Sequence, residues 1–270
     1  MEHIARNYQS MKYVFKTKYG NFLNMDPVKL APLESGQHTV RSLLFPDMLA
    51  PSTNFIAPTI TDTHAYDRFE GPSSAVAYFA GATALLLQTH RDRPLNFVTV
   101  KQTFQRRAIQ LYDEDHDRLV PYAYQGAGLL HLAKAAVSVI APDPNIIRFG
   151  FHATDRVEKG IWLTNIANAK QYVLTDKHAT PILVDENGVT RMVSRRESEN
   201  WITVDMKRVV NAQLHQTWVD IAVRIGGNIP PGYRLVYSGY IIVDVSRGAH
   251  IVPSEDATSI PFYGEYINGV

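Results

Sequence analysis

The 270-residue chain contains no cysteine. That absence excludes disulfides, thiol nucleophiles and cysteine-ligated zinc, and it leaves the redox compartment open. Net charge is nearly absent too, +1 at pH 7 from 27 basic and 26 acidic residues. The electrostatics therefore ask for neither nucleic acid nor a membrane surface as partner. No run of about 18 apolar residues is present, the length a helix needs to span a bilayer. The opening Met1-Glu2-His3-Ile4-Ala5-Arg6 lacks the apolar stretch of a secretion signal. What is there is ordinary for a globular protein: 45% hydrophobic and 20% charged residues, enough for one or two cores.

Two prolines in Ala141-Pro142-Asp143-Pro144-Asn145 interrupt the chain and place a boundary there, dividing it into residues 1–141 and 142–270. Before the boundary the pattern mixes helix and strand. Ala75 to Gln88 reads as a buried helix, apolar all round, and Gln102 to Leu111 as an amphipathic one. A further helix is expected to end in Ala135 to Ile140. After the boundary come short strands: Ile146 to His152, Gly160 to Thr164, Tyr172 to Thr175, Ile182 to Val184, Trp201 to Val204, Thr217 to Ile225 and Tyr233 to Val245. Asp185-Glu186-Asn187-Gly188 is a hairpin turn signal between two of them, and strands at this spacing argue for a β-sandwich.

Gly71-Pro72-Ser73-Ser74-Ala75-Val76-Ala77 carries the strongest functional signal, a serine on a glycine-led turn before a helix of small residues. Locally this is a serine N-cap. Unpaired N–H groups and the helix dipole at such a start can also face a developing oxyanion. The run through Tyr78-Phe79-Ala80-Gly81 resembles the active-site serine signature of the subtilisin-like serine proteases, Gly-Thr-Ser-Met-Ala-x-Pro-His-Val-Ala-Gly. Asp47-Met48-Leu49-Ala50-Pro51 resembles that family's Asp-Val-x-Ala-Pro-Gly segment, and Tyr124-Gln125-Gly126-Ala127-Gly128 resembles its later helix start. Tyr237-Ser238-Gly239-Tyr240-Ile241-Ile242-Val243 and Ile260-Pro261-Phe262 look like the last strands of the fibronectin-type-III-like domain that follows the protease domain in large secreted members.

The resemblance implies an α/β fold, a partial subtilisin-like three-layer arrangement of parallel sheet and helices, followed by an all-β sandwich. It implies a serine endopeptidase in which Ser73 is the nucleophile, Gly71, Pro72 and Ser74 form the oxyanion turn, and Asn7 in Ala5-Arg6-Asn7 assists, with Asn21 as its rival. Its substrate would be a polypeptide and its location extracellular. Pro72 stands where the family has threonine and Tyr78 where it has histidine. The family's aspartate and histidine motifs do not occur, and His64 in Asp62-Thr63-His64 reads as a loop residue. The chain is accordingly expected to be a fragment, or one half of a split protease whose amino-terminal half supplies Asp and His. The alternative is a catalytically inactive pseudoprotease or polypeptide-binding module.

The remaining candidates read as structural. Asp113-Glu114-Asp115-His116-Asp117 lacks the central glycine and distal glutamate of an EF-hand and reads as a solvated loop, so no cofactor or metal is assigned and structural calcium is not readable. Arg106-Arg107 reads as a solvated face. Trp162, Trp201 and Trp218 read as sandwich core.

Overall fold

The computed structural model describes residues 15–17, 20–22, 46–60, 65–92, 94–113, 118–137, 140–166, 170–194, 196–198, 201–212, 215–227, 229–246 and 257–267. The chain divides into two units, Met1–His38 with Pro51–Tyr78, and Thr39–Ala50 with Phe79–Val270. In the first unit β1 (Phe15–Thr17) pairs with β2 (Gly20–Phe22), and β3 (Phe55–Pro58) pairs with β4 (Tyr66–Phe69), both antiparallel. Helix α1 (Pro72–Thr89) follows, its residues to Tyr78 counted in the first unit and those from Phe79 in the second. It contains no charged residue. Although read from sequence as buried, it buries only Ala82 and Leu86, while Val76, Leu85 and Leu87 are exposed.

The second unit holds α2 (Phe97–Gln105), capped by the Asn96 side chain accepting from the Thr99 N–H, then a β5 (Tyr112–Asp113) and β6 (Arg118–Leu119) pair, and short helices α3 (Tyr122–Gln125) and α4 (Leu132–Ala135). The amphipathic helix therefore begins and ends several residues earlier than its periodicity predicts. The last helix stops at Ala135, and Ile140 already begins a strand.

From Ile140 the chain is strand after strand. One sheet runs β13 (Ile202–Met206), β15 (Gln216–Ile225), β9 (Arg156–Asn165), β7 (Ile140–Asp143). The other is built on β16 (Arg234–Ser246), which pairs with β17 (Thr258–Ile267) along one edge and with β10 (Gln171–His178) and β11 (Ile182–Val184) along the other. β12 (Thr190–Met192) and β14 (Val209–Asn211) extend it outward, and β8 (Ile147–His152) joins β17 in parallel. The turn at Asp185 to Gly188 joins β11 to β12, the Asp185 carboxylate accepting from the N–H groups of Asn187 and Val189.

The two sheets share one core. Ile161, Leu163, Val219, Ile221 and Val223 of the four-stranded sheet meet Leu174, Leu183, Leu235, Tyr237, Ile241 and Phe262 of the larger one. Alternation in β15, exposed Gln216, Trp218, Asp220 and Arg224 against buried Thr217, Val219, Ile221 and Val223, broken at the buried Ala222, is what lays one side of that sheet on this core. β16 differs, being buried without a break from Leu235 to Ile241.

Its second face is covered by the segment from α2 to α4. Val236, Ile182 and Val184 pack with Ala123, and Tyr240 with Leu119 and Ala179. The Tyr122 N–H donates to the Ser238 hydroxyl, the Tyr240 hydroxyl donates to the Gly126 carbonyl at 2.7 Å, and the Tyr122 and Tyr263 rings stack at 5.0 Å. Gly126 and Gly128, read as a helix start, instead mark a crossing of backbones. A Cβ on Gly126 would lie 2.1 Å from the Pro46 carbonyl oxygen, and Leu49 pairs with Leu129 beside it.

Arg106 and Arg107 are buried, not solvated. Arg107 donates from Nε to the Lys134 carbonyl and from a terminal nitrogen to the Ala257 carbonyl, joining α4 to the approach of β17, while burial and the neighbouring Arg107 lower the Arg106 guanidinium to about 10. The expected three-layer α/β fold is thus corrected. Among the described residues, no parallel sheet lies between helix layers; strand–strand parallel pairing is limited to β8 with β17 inside the sandwich. The signature at Gly71 specifies a helix start, and a helix start is compatible with many folds.

Arg107→Ala should lower unfolding free energy by about 3 kcal/mol, because it removes two hydrogen bonds that a buried side chain makes to carbonyls distant in sequence and opens a void. A urea-denaturation change below about 0.5 kcal/mol would refute the bridging role. Asp176 on β10 supplies a pH-dependent test. Burial alone would raise its carboxyl, but hydrogen bonds and charge from His178 and Arg208 outweigh burial and hold it at about 2. A depressed carboxyl stabilises the fold above its unfolded value near 4 and loses that contribution as pH falls toward 2. Asp176→Asn should cost about 1 kcal/mol at pH 7, allowing for solvent screening of this partly exposed cluster, and only a small fraction of that at pH 2. Equal penalties at both pH values would contradict this.

Candidate functional site

Ser73 lies exposed in the first turn of α1. Gly71 before it adopts φ +106°, donates its N–H to the Ser52 carbonyl at 2.8 Å, and accepts from the Ser74 N–H at 3.1 Å. Pro72 is exposed and Ser74 half-buried. Among the described residues, no hydrogen bond joins the Ser73 hydroxyl to a histidine. Asn7, His64 and residues 114–117 lie outside the described residues. Asp47 of the second unit forms an ion pair with Lys101 at 2.6 Å. Among the described residues, no cluster of three or more His, Asp or Glu could hold a metal ion.

A second polar group sits within the larger unit. His152 is bonded to the Thr154 carbonyl through Nδ1 and to the Tyr237 hydroxyl through Nε2 at 2.7 Å. A carbonyl only accepts, so Nδ1 carries a proton, and in the neutral ring Nε2 accepts from Tyr237. Burial raises the Tyr237 hydroxyl well above the usual phenol range. This cluster locks a tautomer and offers no nucleophile.

The outer faces of the two sheets provide the contrast that locates a site. The seven-stranded sheet is covered by the α2 to α4 segment, as described above. On the four-stranded sheet, strand register puts Thr164 with Gln216, Trp162 with Trp218, Gly160 with Asp220, Glu158 with Ala222 and Arg156 with Arg224 on the outward side. Asp143 of β7 is registered with Trp162, and Asp205 of β13 with Ala222.

Trp162 and Trp218 are 42% and 46% exposed, and their rings meet edge to face with centroids 4.9 Å apart. Two indoles so exposed are unusual for side chains of this size. Gly160 sets the pose of Trp218: a Cβ there would fall 1.7 Å from Cζ2 of the indole, so the ring lies directly over the bare backbone of β9. The indole Nε1–H donates to Asp220 at 2.7 Å, fixing the ring's rotation. The Trp218 indole thus rests on the sheet while 46% of the residue stays exposed.

The sequence places all three tryptophans in the core, and of them only Trp201 is there, 6% exposed. The signal for the other two was parity. In Gly160-Ile161-Trp162-Leu163-Thr164 and Thr217-Trp218-Val219-Asp220-Ile221, alternation assigns the aliphatic residues inward and therefore both tryptophans outward.

No family model and no curated protein matches the chain. Solved structures match about half of it. The PapD-like domain 7 of human CEP192 is 13% identical over 49% of this chain and 88% of its own, with a TM-score of 0.33. WR4, an MSP family member of C. elegans, is 13% identical over 49% of this chain and all of its own, with a TM-score of 0.27. The CsuC–CsuE chaperone and tip adhesion subunit complex of Acinetobacter baumannii matches at 13% identity over 49% of this chain and 54% of the other, with a TM-score of 0.28. The subtilisin-like identification is corrected accordingly. No family model supports it, and the layered α/β frame that would seat its triad is missing among the described residues. The endopeptidase activity, and the amino-terminal half invoked to complete it, fall with that identification.

Proposed function

We propose that the chain is a non-catalytic interaction module that binds a polypeptide partner through the outer face of its four-stranded sheet. The observation that carries this reading is the exposed, positionally fixed pair Trp162 and Trp218, on a sheet face that no hydrophobic cluster covers among the described residues of its unit. Tryptophan is concentrated at the centres of protein interfaces, where one indole can account for much of the affinity. A ring already held by Asp220 and by the Gly160 backbone loses little freedom on binding, so more of its contact energy appears as affinity. Flanking groups Thr164, Gln216 and Asp143 supply the polar rim such a patch requires.

The test is a peptide-array screen with the labelled full chain, followed by titration of the selected peptides. Trp162→Ala and Trp218→Ala should each weaken binding by about 2 kcal/mol, roughly thirtyfold, and leave the melting temperature within a few degrees, since both side chains are largely outside the core. Gly160→Val, which displaces Trp218 without removing it, should weaken binding comparably. Failure to select any peptide, or equal binding by the tryptophan variants and the parent chain, would overturn the reading.

A further inference from the structure

Resting on that reading, we propose that the tryptophan face recognises a cationic side chain, an arginine or lysine of the partner segment, seated over the Trp218 and Trp162 rings with Asp143 and Asp220 beside it. The argument comes from the order of charges along the face. Its two arginines are the farthest outward-facing residues in the β9–β15 register, six positions from the tryptophans, about 20 Å at strand rise. Both are engaged, Arg156 with Glu158 at 2.8 Å and Arg224 with Asp205. Lys159, next to Gly160, has the opposite parity in β9.

The charges registered directly with, or two positions from, the tryptophan pair are therefore carboxylates. Asp143 is exposed and registered with Trp162, and among the described residues it forms no ion pair. Asp220 is bonded to a neutral indole N–H, so its charge is not cancelled. Two uncompensated negative charges beside two π faces form a site for a cation. The ring quadrupoles and the carboxylates act with the same sign, and an anionic group would be repelled by both. The inclined rings, at an interplanar angle of 64°, form a corner whose two walls can contact one guanidinium or ammonium group together. A neutral sugar could stack on one indole, but it would leave both carboxylate charges unanswered.

The experiment uses the full chain, 15N-labelled, and a set of otherwise identical peptides whose central residue is arginine, lysine, citrulline or glutamate, with maltohexaose as a neutral sugar. The chain has three tryptophans, so three indole Nε1–H signals are expected, assignable by Trp→Phe variants. With the arginine peptide the Trp162 and Trp218 signals should shift saturably while the buried Trp201 signal stays put. Affinity should be at least tenfold higher for arginine than for citrulline at low salt, and that advantage should shrink at 0.5 M salt. Asp143→Asn and Asp220→Asn should each weaken the arginine peptide about three- to tenfold and leave the citrulline peptide unchanged. The side-chain amide introduced by Asp220→Asn retains an oxygen to accept from Trp218, so the ring stays in place, and an unchanged Trp201 signal reports that the fold is intact. Equal affinity for arginine and citrulline peptides would overturn the cation assignment while leaving polypeptide binding standing. Shifts of both outer tryptophan signals with maltohexaose and with no peptide would overturn both.

Discussion

The larger unit is organised by the requirement that one strand, β16, satisfy its backbone along both edges and bury its side chains on both faces. On one edge β17 pairs from Arg234 to Val243; on the other β11 and β10 divide the length between them. A strand paired and covered on every side cannot slip by one residue without turning Leu235, Tyr237 and Ile241 out of the core, so its register fixes the register of its neighbours. The opposing sheet is then positioned by a single requirement, that its alternate residues fill the other half of the same core.

Covering the second face of β16 has a polar counterpart. The chain between α2 and α4 carries little regular structure, so its backbone groups must be satisfied one by one. Ser238, Tyr240, Gln125 and Arg107 do this from side chains: Gln125 accepts from the Leu111 N–H and donates to the Val120 carbonyl, and Arg107 spans two carbonyls far apart in sequence. Among the described residues, the four-stranded sheet has no such covering within its unit. Its outward side carries polar groups, Gly160 and Ala222 beside two indoles, and this asymmetry between the sheets is what the proposed binding side rests on.

How much of this the amino-acid sequence discloses depends on the range of the information. Strands β8, β11, β15 and β16 are legible to within a residue or so, because period-two alternation, or a continuous apolar run, is a local property. β7, β12 and β14 are not: Pro142 interrupts β7, and β12 and β14 lack the continuous apolar run that marks the equally short β11, so all three are defined by their partners. The buried arginines are invisible for the same reason: their acceptors, the Lys134 and Ala257 carbonyls, are supplied by distant chain. Ser73 shows the opposite failure. A glycine, a serine and a run of small residues are sufficient to begin a helix, and they carry no information on whether a catalytic frame surrounds it. The outward tryptophans were legible through the same alternation that located their strands, once the indole is treated as a side chain with a parity and not only as a hydrophobe.

The parallel pairing of β8 with β17 has a consequence for biosynthesis. Ile147 waits for Phe262, more than a hundred residues further on, and β16 keeps one long edge open until the same strand is made. A ribosome therefore releases most of the sandwich before its core can close, with β16 presenting unpaired backbone to whatever is nearby. The last described strand acts as the clasp of the fold, and the interval before it arrives is when the nascent chain most needs protection from self-association.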